Sequence, residues 1–162
     1  MSILSGFCFG YDTAVIAGAT LFFENDFPAI TKAQQETVVS FAILGAAIGA
    51  LVSGTVADRI GRKFTIIFGD VLMTIGTVLM CFAPNLWSLI MGRLVAGLGF
   101  GTEVMACSVF LAEVAPRRLR GSIVTANIAC CVFGQLFALL VCIWLSPDWR
   151  AMLGVGAIPA IV

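Results

Sequence analysis

Residues 37–57 read TVVSFAILGAAIGALVSGTVA, a run without a single charged side chain, and the next six residues, DRIGRK, carry four charges. A helix that crosses the hydrocarbon core of a bilayer needs about 20 predominantly apolar residues. The stretch therefore predicts a transmembrane helix over residues 37–57 that ends in a short charged loop over residues 58–63.

The same length criterion, applied outward from this stretch, predicts further membrane spans along the whole chain. The predicted spans cover residues 3–23, 37–57, 64–83, 86–112 and 122–145, and another begins at residue 150. The predicted connections are a polar segment over 24–36, charged loops over 58–63 and 113–121, a turn at Pro84-Asn85 and a turn over 146–149. The expected fold class is an all-α polytopic membrane helix bundle, with five complete transmembrane helices and the start of a sixth.

The sixth predicted span reaches the last residue, Val162, after too few residues to cross about 30 Å at 1.5 Å per residue. We therefore expect residues 1–162 to form one transmembrane bundle of a truncated chain, whose remaining C-terminal half is absent.

Composition excludes several classes of protein. The chain is 60% hydrophobic and 11% charged, whereas soluble domains carry about 25% charged residues. Nine basic and nine acidic residues cancel, which argues against a nucleic-acid partner because such a partner needs a basic face. The six cysteines lie in apolar runs and histidine is absent, so we expect packing thiols, no zinc site and no cofactor. No nucleophile and base are spaced as in an enzyme.

Basic residues predict the orientation in the membrane. The two charged loops contain Arg59, Arg62, Lys63, Arg117, Arg118 and Arg120. The opposite side carries only Lys32 and Arg150. Because cytoplasmic loops are enriched in lysine and arginine, both charged loops and the N-terminus are predicted to be cytoplasmic. We expect a multi-pass integral protein of the plasma membrane.

Small residues recur at helix-facing spacing within the predicted spans. Examples are Gly45, Gly49 and Ser53 in one span, and Gly97 and Gly101 in another. Such small-xxx-small patterns let helix backbones approach closely, so they predict tight helix packing.

Four charged residues fall inside predicted spans, namely Asp12, Asp70, Arg93 and Glu103. Each costs at least about 2.5–3.5 kcal/mol near the bilayer centre, unless it pairs or lines a wet pathway. Asp12 and Arg93 lie roughly 16 Å and roughly 10 Å below the outer ends of their spans. Helix tilt can cover this difference in depth. Asp12 and Arg93 are therefore predicted to meet across the first and fourth helices. Asp70 and Glu103 lie in the inner half, where they are candidates for a second polar cluster.

The pair of Asp12 and Arg93 has two interpretations. A carboxylate beside a guanidinium stays ionised, and a carboxylate that loses this partner binds a proton more tightly. A pair that separates during transport therefore couples proton uptake to a conformational change. The alternative is a static buried ion pair that fixes the register of two helices.

Several motifs resemble those of the sugar porters of the major facilitator superfamily, and they cover nearly the whole chain in order. They are residues 10–15 (GYDTAV), 54–63 (GTVADRIGRK), Gly92-Arg93 with Gly97, Gly99 and Gly101, 112–121 (AEVAPRRLRG), Gly134-Gln135-Leu136 and Trp149-Arg150. The resemblance implies the N-terminal half of the major facilitator fold. It also implies secondary transport of a sugar or polyol, such as a hexose or inositol, by alternating access and coupled to protons.

The resemblance also implies roles for individual residues. Asp12 would be the proton-titrating carboxylate, with Arg93 as its partner. Asn127 and Gln135 would bind the substrate. The cytoplasmic gate would consist of Gly54, Asp58, Arg59, Gly61, Arg62, Lys63, Glu113, Arg117 and Arg120.

The sequence departs from the sugar-porter pattern at positions that leave the solute open. Ile128 stands where hexose carriers commonly have a substrate-binding glutamine, and Glu103 is an additional acid in the fourth helix. A proton symporter for an organic acid, phosphate or organic cation is therefore an alternative within the superfamily. An alternative of another class is a non-transporting fragment or nutrient sensor.

Overall fold

A computed structural model describes residues 2–20, 32–114, 120–145 and 152–156 of the chain. Its helices are α1 (Ser2–Thr20), α2 (Lys32–Ile60), α3 (Arg62–Cys81), α4 (Leu86–Val114) and α5 (Arg120–Trp144). Residues 152–156 are also helical. Over these residues, four helices are long and apolar enough to cross a membrane, with candidate spans in α2, α3, α4 and α5. The predicted all-α membrane bundle is thereby confirmed.

The helices extend beyond several of the predicted spans. The predicted charged loop over residues 58–63 is wrong, because α2 continues to Ile60, α3 begins at Arg62, and only Gly61 separates them. Gly61 has φ 97°, a left-handed conformation that favours glycine and ends a helix at little steric cost. Likewise, α2 begins at Lys32, inside the predicted polar connection. Hydropathy locates the segment that lies in lipid, whereas the helix itself continues into water.

The turns and the charged loops near the other helix ends are only partly described. The predicted turn at Pro84-Asn85 is confirmed between α3 and α4. The predicted loop over 113–121 is too long, since α4 reaches Val114 and α5 begins at Arg120. Residues 146–149, and most of the predicted sixth span, lie outside the described residues.

Helix α4 packs between α2 and α3, and glycines set the distance to α2. A Cβ atom added to Gly101 would lie 2.8 Å from Ala46 Cα, and one added to Gly49 would lie 3.1 Å from Thr102 N. The Ser53 hydroxyl donates a buried hydrogen bond to the Thr102 carbonyl at 2.9 Å. The seam predicted from the small residues is therefore an interface between α2 and α4, close enough for a side chain to bond directly to the facing backbone.

Helix α1 pairs mainly with α5, again through glycines. A Cβ atom on Gly10 would lie 2.8 Å from the Cys131 carbonyl carbon, and one on Gly134 would lie 3.0 Å from Tyr11 N. Tyr11, the single tyrosine of the sequence, is buried and donates its hydroxyl to the Met152 carbonyl at 2.7 Å. This bond fixes the helical segment over residues 152–156 against α1.

Candidate functional site

Asp12 of α1 and Arg93 of α4 form an ion pair, as predicted. Arg93 Nη1 donates to Asp12 Oδ2 at 2.9 Å. The arginine side chain is only 2% exposed, whereas the aspartate side chain is 24% exposed. The guanidinium is thus held inside the bundle, whereas the carboxylate remains partly exposed.

A cavity of about 330 Å³ adjoins this pair between α1, α2 and α4. Asp12, Thr13 and Arg93 contribute to its wall, and the rest of the lining is apolar. The rings of Phe9 and Phe100 stack in that wall with their centroids 4.0 Å apart. A mostly apolar cavity with a few convergent polar groups is typical of small-molecule sites.

The ion pair satisfies only part of the Arg93 guanidinium. Its Nε and Nη2 atoms are buried and have no hydrogen-bond acceptor among the residues that the structure describes. Asp12 accepts from Nη1 alone in the described geometry. The arginine therefore has two buried donor atoms for which none of the described residues supplies an acceptor.

Asp70 of α3 and Glu103 of α4 come together, as the sequence suggested. Their carboxyl groups lie within hydrogen-bonding reach of each other. The backbones of α3 and α4 also approach closely here, since a Cβ on Gly69 would lie 3.0 Å from Glu103 Cβ. Glu103 is buried and Asp70 is half-buried. This part of the contact between α3 and α4 therefore brings two acidic side chains together inside the bundle.

Arg62 joins the charged ends of three helices. Its Nη1 atom donates to Asp58 Oδ1 at 2.9 Å, which connects α3 to the end of α2. Its Nη2 and Nε atoms donate to the two oxygens of Glu113 on α4, at 2.9 and 3.2 Å. This two-pronged geometry is characteristic of arginine–carboxylate pairs. The charged residues between α2 and α3 and those near the end of α4 therefore lie at the same end of the bundle.

The other residues of the predicted gate are less connected or lie outside the described part. Arg59 and Lys63 are exposed. A Cβ atom on Gly54 would meet nothing within 4 Å, so that glycine faces open space. Arg117 lies outside the described residues. Arg120 begins α5, and its side chain is not described.

The structure does not bring the two predicted substrate residues to the cavity beside Arg93. Asn127 is partly buried and faces Gly6 of α1, and its buried Oδ1 atom has no partner among the described residues. Gln135 is also partly buried. Neither residue lines the cavity, whose wall contains Phe9 and Thr13 instead. Phe9 precedes Asp12 by close to one helical turn, and Thr13 directly follows Asp12. This nearness to Asp12 was the only sequence signal that could have identified Phe9 and Thr13.

Comparisons with known proteins agree with the fold and the motifs. The family model described as "Sugar (and other) transporter" matches residues 1–162. Inositol transporter 4 of Arabidopsis thaliana is 42% identical, over 98% of this chain and 28% of that protein. The proton myo-inositol cotransporter of Homo sapiens is 40% identical, over 99% of this chain and 25% of that protein.

Solved structures agree with these sequence comparisons. The inward-open structure of the xylose transporter of E. coli superimposes with a TM-score of 0.87 at 27% identity, over 99% of this chain and 44% of that one. The chain thus spans about a quarter of these sequence relatives and less than half of the structural one. The match of the family model over residues 1–162 decides the assignment: the chain belongs to the sugar (and other) transporter family.

Proposed function

We propose that this chain supplies the N-terminal bundle of a secondary transporter that moves a sugar or polyol by alternating access, with proton coupling through Asp12 and Arg93. The substrate site then lies at the midplane, between this bundle and a second one. The proposed location is the plasma membrane, with the charged loops and the N-terminus in the cytoplasm.

The ion pair between α1 and α4 is the observation that carries this proposal. Arg93 is 1% exposed. Among the residues that the structure describes, only Asp12 compensates its positive charge. Protonation of Asp12 removes that compensation and favours a rearrangement of the two helices. The partial exposure of the carboxylate provides a route for the proton. The names of two relatives, a proton myo-inositol cotransporter and a proton:xylose symporter, support the same coupling.

The charged end of the bundle supports alternating access. Arg62 connects Asp58 and Glu113, and all three side chains are at least partly exposed. Ion pairs between exposed groups contribute about 0–1 kcal/mol in general, so breaking them costs little free energy. A latch of this kind suits a protein with two conformations of similar free energy. The gating roles of Gly54, Arg59, Gly61, Lys63, Arg117 and Arg120, and the substrate contacts of Asn127 and Gln135, are part of the same proposal.

Asp12→Asn in the full-length protein tests the coupling. We expect the variant to lose proton-driven accumulation of myo-inositol in vesicles while it retains part of its solute exchange. The reason is that asparagine can occupy the place of aspartate but cannot bind and release the transported proton. Uphill uptake at the wild-type level by Asp12→Asn would contradict the coupling role. Normal accumulation together with lost exchange would contradict it as well.

A second candidate is a proton symporter for a charged solute. The buried Glu103, in contact with Asp70, favours it, because an additional acid can accept a further proton or compensate a cation. Competition of labelled myo-inositol uptake by glucose, phosphate, organic acids and organic cations separates the two candidates. A non-transporting role is tested by the same assay, since a sensor or fragment accumulates none of them.

A further inference from the structure

Two side-chain contacts join α1 to α4. One is the ion pair of Asp12 and Arg93. The other is the stack of Phe9 on Phe100, whose ring centroids lie 4.0 Å apart and whose planes are inclined by 13°. All four residues line the same cavity. Since α1 packs mainly against α5, its position along α4 depends on contacts such as these.

The two contacts lie on one face of each helix. Phe9 precedes Asp12 by three residues in α1, and Phe100 follows Arg93 by seven residues in α4. Residues at these spacings share a helix face, because an α-helix has about 3.6 residues per turn. A shift of α1 along or around its axis therefore changes the ring contact and the ion pair together.

The backbone that carries Phe100 is held on two sides. A Cβ atom on Gly99 would lie 3.0 Å from the Leu72 carbonyl carbon in α3. A Cβ atom on Gly101 would lie 2.8 Å from the Ala46 Cα in α2. These backbones leave no room for a methyl group between them, so α2 and α3 hold this part of α4 in place. The Phe100 ring contacts α1 instead, and it is therefore a fixed point of the bundle against which α1 rests.

The ion pair alone fixes the position of Asp12 poorly. Arg93 contacts one oxygen of Asp12 through one nitrogen, Nη1, at 2.9 Å. A two-pronged contact between arginine and a carboxylate adds geometric specificity, which a single contact lacks. The arginine side chain also has several rotatable bonds, so it can follow a displaced carboxylate. A phenylalanine ring has only two side-chain torsions, so a close stack of two rings tolerates less displacement.

We propose that Phe100 is a positioning residue of the coupling pair: its ring, stacked on Phe9, holds α1 in the register at which the Asp12 carboxylate meets Arg93. The proposal rests on the proton-coupled transport proposed above and adds a residue that regulates the coupling. With the stack in place, ionised and protonated Asp12 correspond to two distinct arrangements of α1 and α4. Without the stack, α1 shifts independently of the charge on Asp12, and solute crosses the membrane without a proton.

Transport by the full-length protein in vesicles tests this role through two quantities that a merely structural residue would change together. The probe is myo-inositol, measured as uphill accumulation driven by a proton gradient and as exchange without a gradient. Phe100→Leu keeps an apolar side chain but removes the stack. Its accumulation ratio should fall at least about threefold, while its exchange rate and the KM of exchange stay within about twofold of the wild type.

Two further variants complete the transport measurement. Phe100→Tyr retains a ring that can stack, so its accumulation ratio should stay within about twofold of the wild type. Phe68→Leu is the matched control, because Phe68 is 52% exposed in α3 and lies outside the cavity. It should change neither accumulation nor exchange.

Unfolding of the purified full-length protein in detergent gives a readout that does not depend on transport. Asp12→Asn removes the partner of a buried guanidinium, so it should lower the melting temperature. The same substitution made in Phe100→Leu should lower it by less than about half as much, because the pair is already loosened there. Equal losses in the two backgrounds would overturn the positioning role. Phe100→Met replaces Phe100→Leu in both measurements if the leucine variant is not monodisperse by size-exclusion chromatography.

Three transport results would also overturn the assignment: wild-type accumulation by Phe100→Leu, a parallel fall of its accumulation and exchange, or lost accumulation in Phe100→Tyr. Failure of the transport proposal looks different. The wild type then shows no uphill uptake, while the melting temperatures of the wild type, the two single variants and the double variant still reveal the dependence of Asp12 on Phe100.

Discussion

The glycine seam between α2 and α4 gives the sharpest prediction about stability, through the substitution Gly101→Ala. A Cβ atom at position 101 would lie 2.8 Å from both the carbonyl carbon and the Cα of Ala46, and even closer to its carbonyl oxygen. Ordinary contacts of a Cβ atom begin at 3.4 Å. The two helices must therefore separate locally by at least about 0.6 Å, which is the difference between 3.4 and 2.8 Å.

This separation weakens more than one contact. A radial gap of about 0.5–1 Å forfeits roughly a quarter to a half of the dispersion energy of each atom pair that it affects. The buried hydrogen bond from Ser53 to the Thr102 carbonyl lies in the same seam and is 2.9 Å long. The separation of the helices would lengthen it toward the limit of a useful hydrogen bond. Overpacking of well-packed interiors typically costs about 1–3 kcal/mol. We expect Gly101→Ala to lose free energy of unfolding in this range.

Denaturation of the purified protein in detergent measures this effect, with tryptophan fluorescence or far-UV circular dichroism as the signal. Gly121→Ala is the matched control, because a Cβ atom at Gly121 meets nothing within 4 Å and the position is near the beginning of α5. It should leave the unfolding midpoint unchanged or raise it slightly, since alanine favours helix more than glycine by about 1 kcal/mol. If Gly101→Ala proves as stable as Gly121→Ala, the seam is not closely packed and the reasoning fails.

Two further substitutions test single contacts. Tyr11→Phe removes the hydroxyl that donates to the buried Met152 carbonyl, so the free energy of unfolding should fall by about 1–3 kcal/mol, and a midpoint equal to the wild type would contradict the bond. Glu113→Gln should shift the unfolding midpoint little in low or high salt, because Glu113 and Arg62 are both accessible to solvent. A large loss on Glu113→Gln would mean that the pair holds α3 and α4 together instead of acting as a latch.

The sequence predicted those features that depend on one residue type at one depth in the membrane. Hydropathy located the helices, because burial in lipid demands long apolar segments whatever their neighbours are. The pair of Asp12 and Arg93 was predictable for the same reason, since opposite charges in hydrocarbon must find each other. The contact of Asp70 with Glu103 followed from their shared depth.

Helix ends and cavities could not be predicted in this way. The extension of α2 to Ile60 depends on the conformation of Gly61, and hydropathy does not register the charged turns that continue a helix into water. The cavity wall combines Phe9 with Phe100, residues whose stacking depends on the rotation of α1 against α4. A sequence determines which residues share a helix face, but the rotation of one helix against another is decided by the sum of many packing contacts.

The placement of charges along α4 explains why one helix connects the proposed coupling pair to the proposed gate. Arg93 contacts α1, Glu103 contacts α3 through Asp70, and Glu113 contacts α3 through Arg62. These three residues are ten positions apart in the sequence, which corresponds to about 15 Å between neighbours along a continuous helix. Because the structure describes α4 as uninterrupted from Leu86 to Val114, the displacement of Arg93 that we propose to follow protonation of Asp12 would reach Glu113 as a rigid movement of one helix. The glycine seam holds α4 closely against α2, so the packing that Gly101→Ala perturbs is also the packing along which the proposed movement would pass.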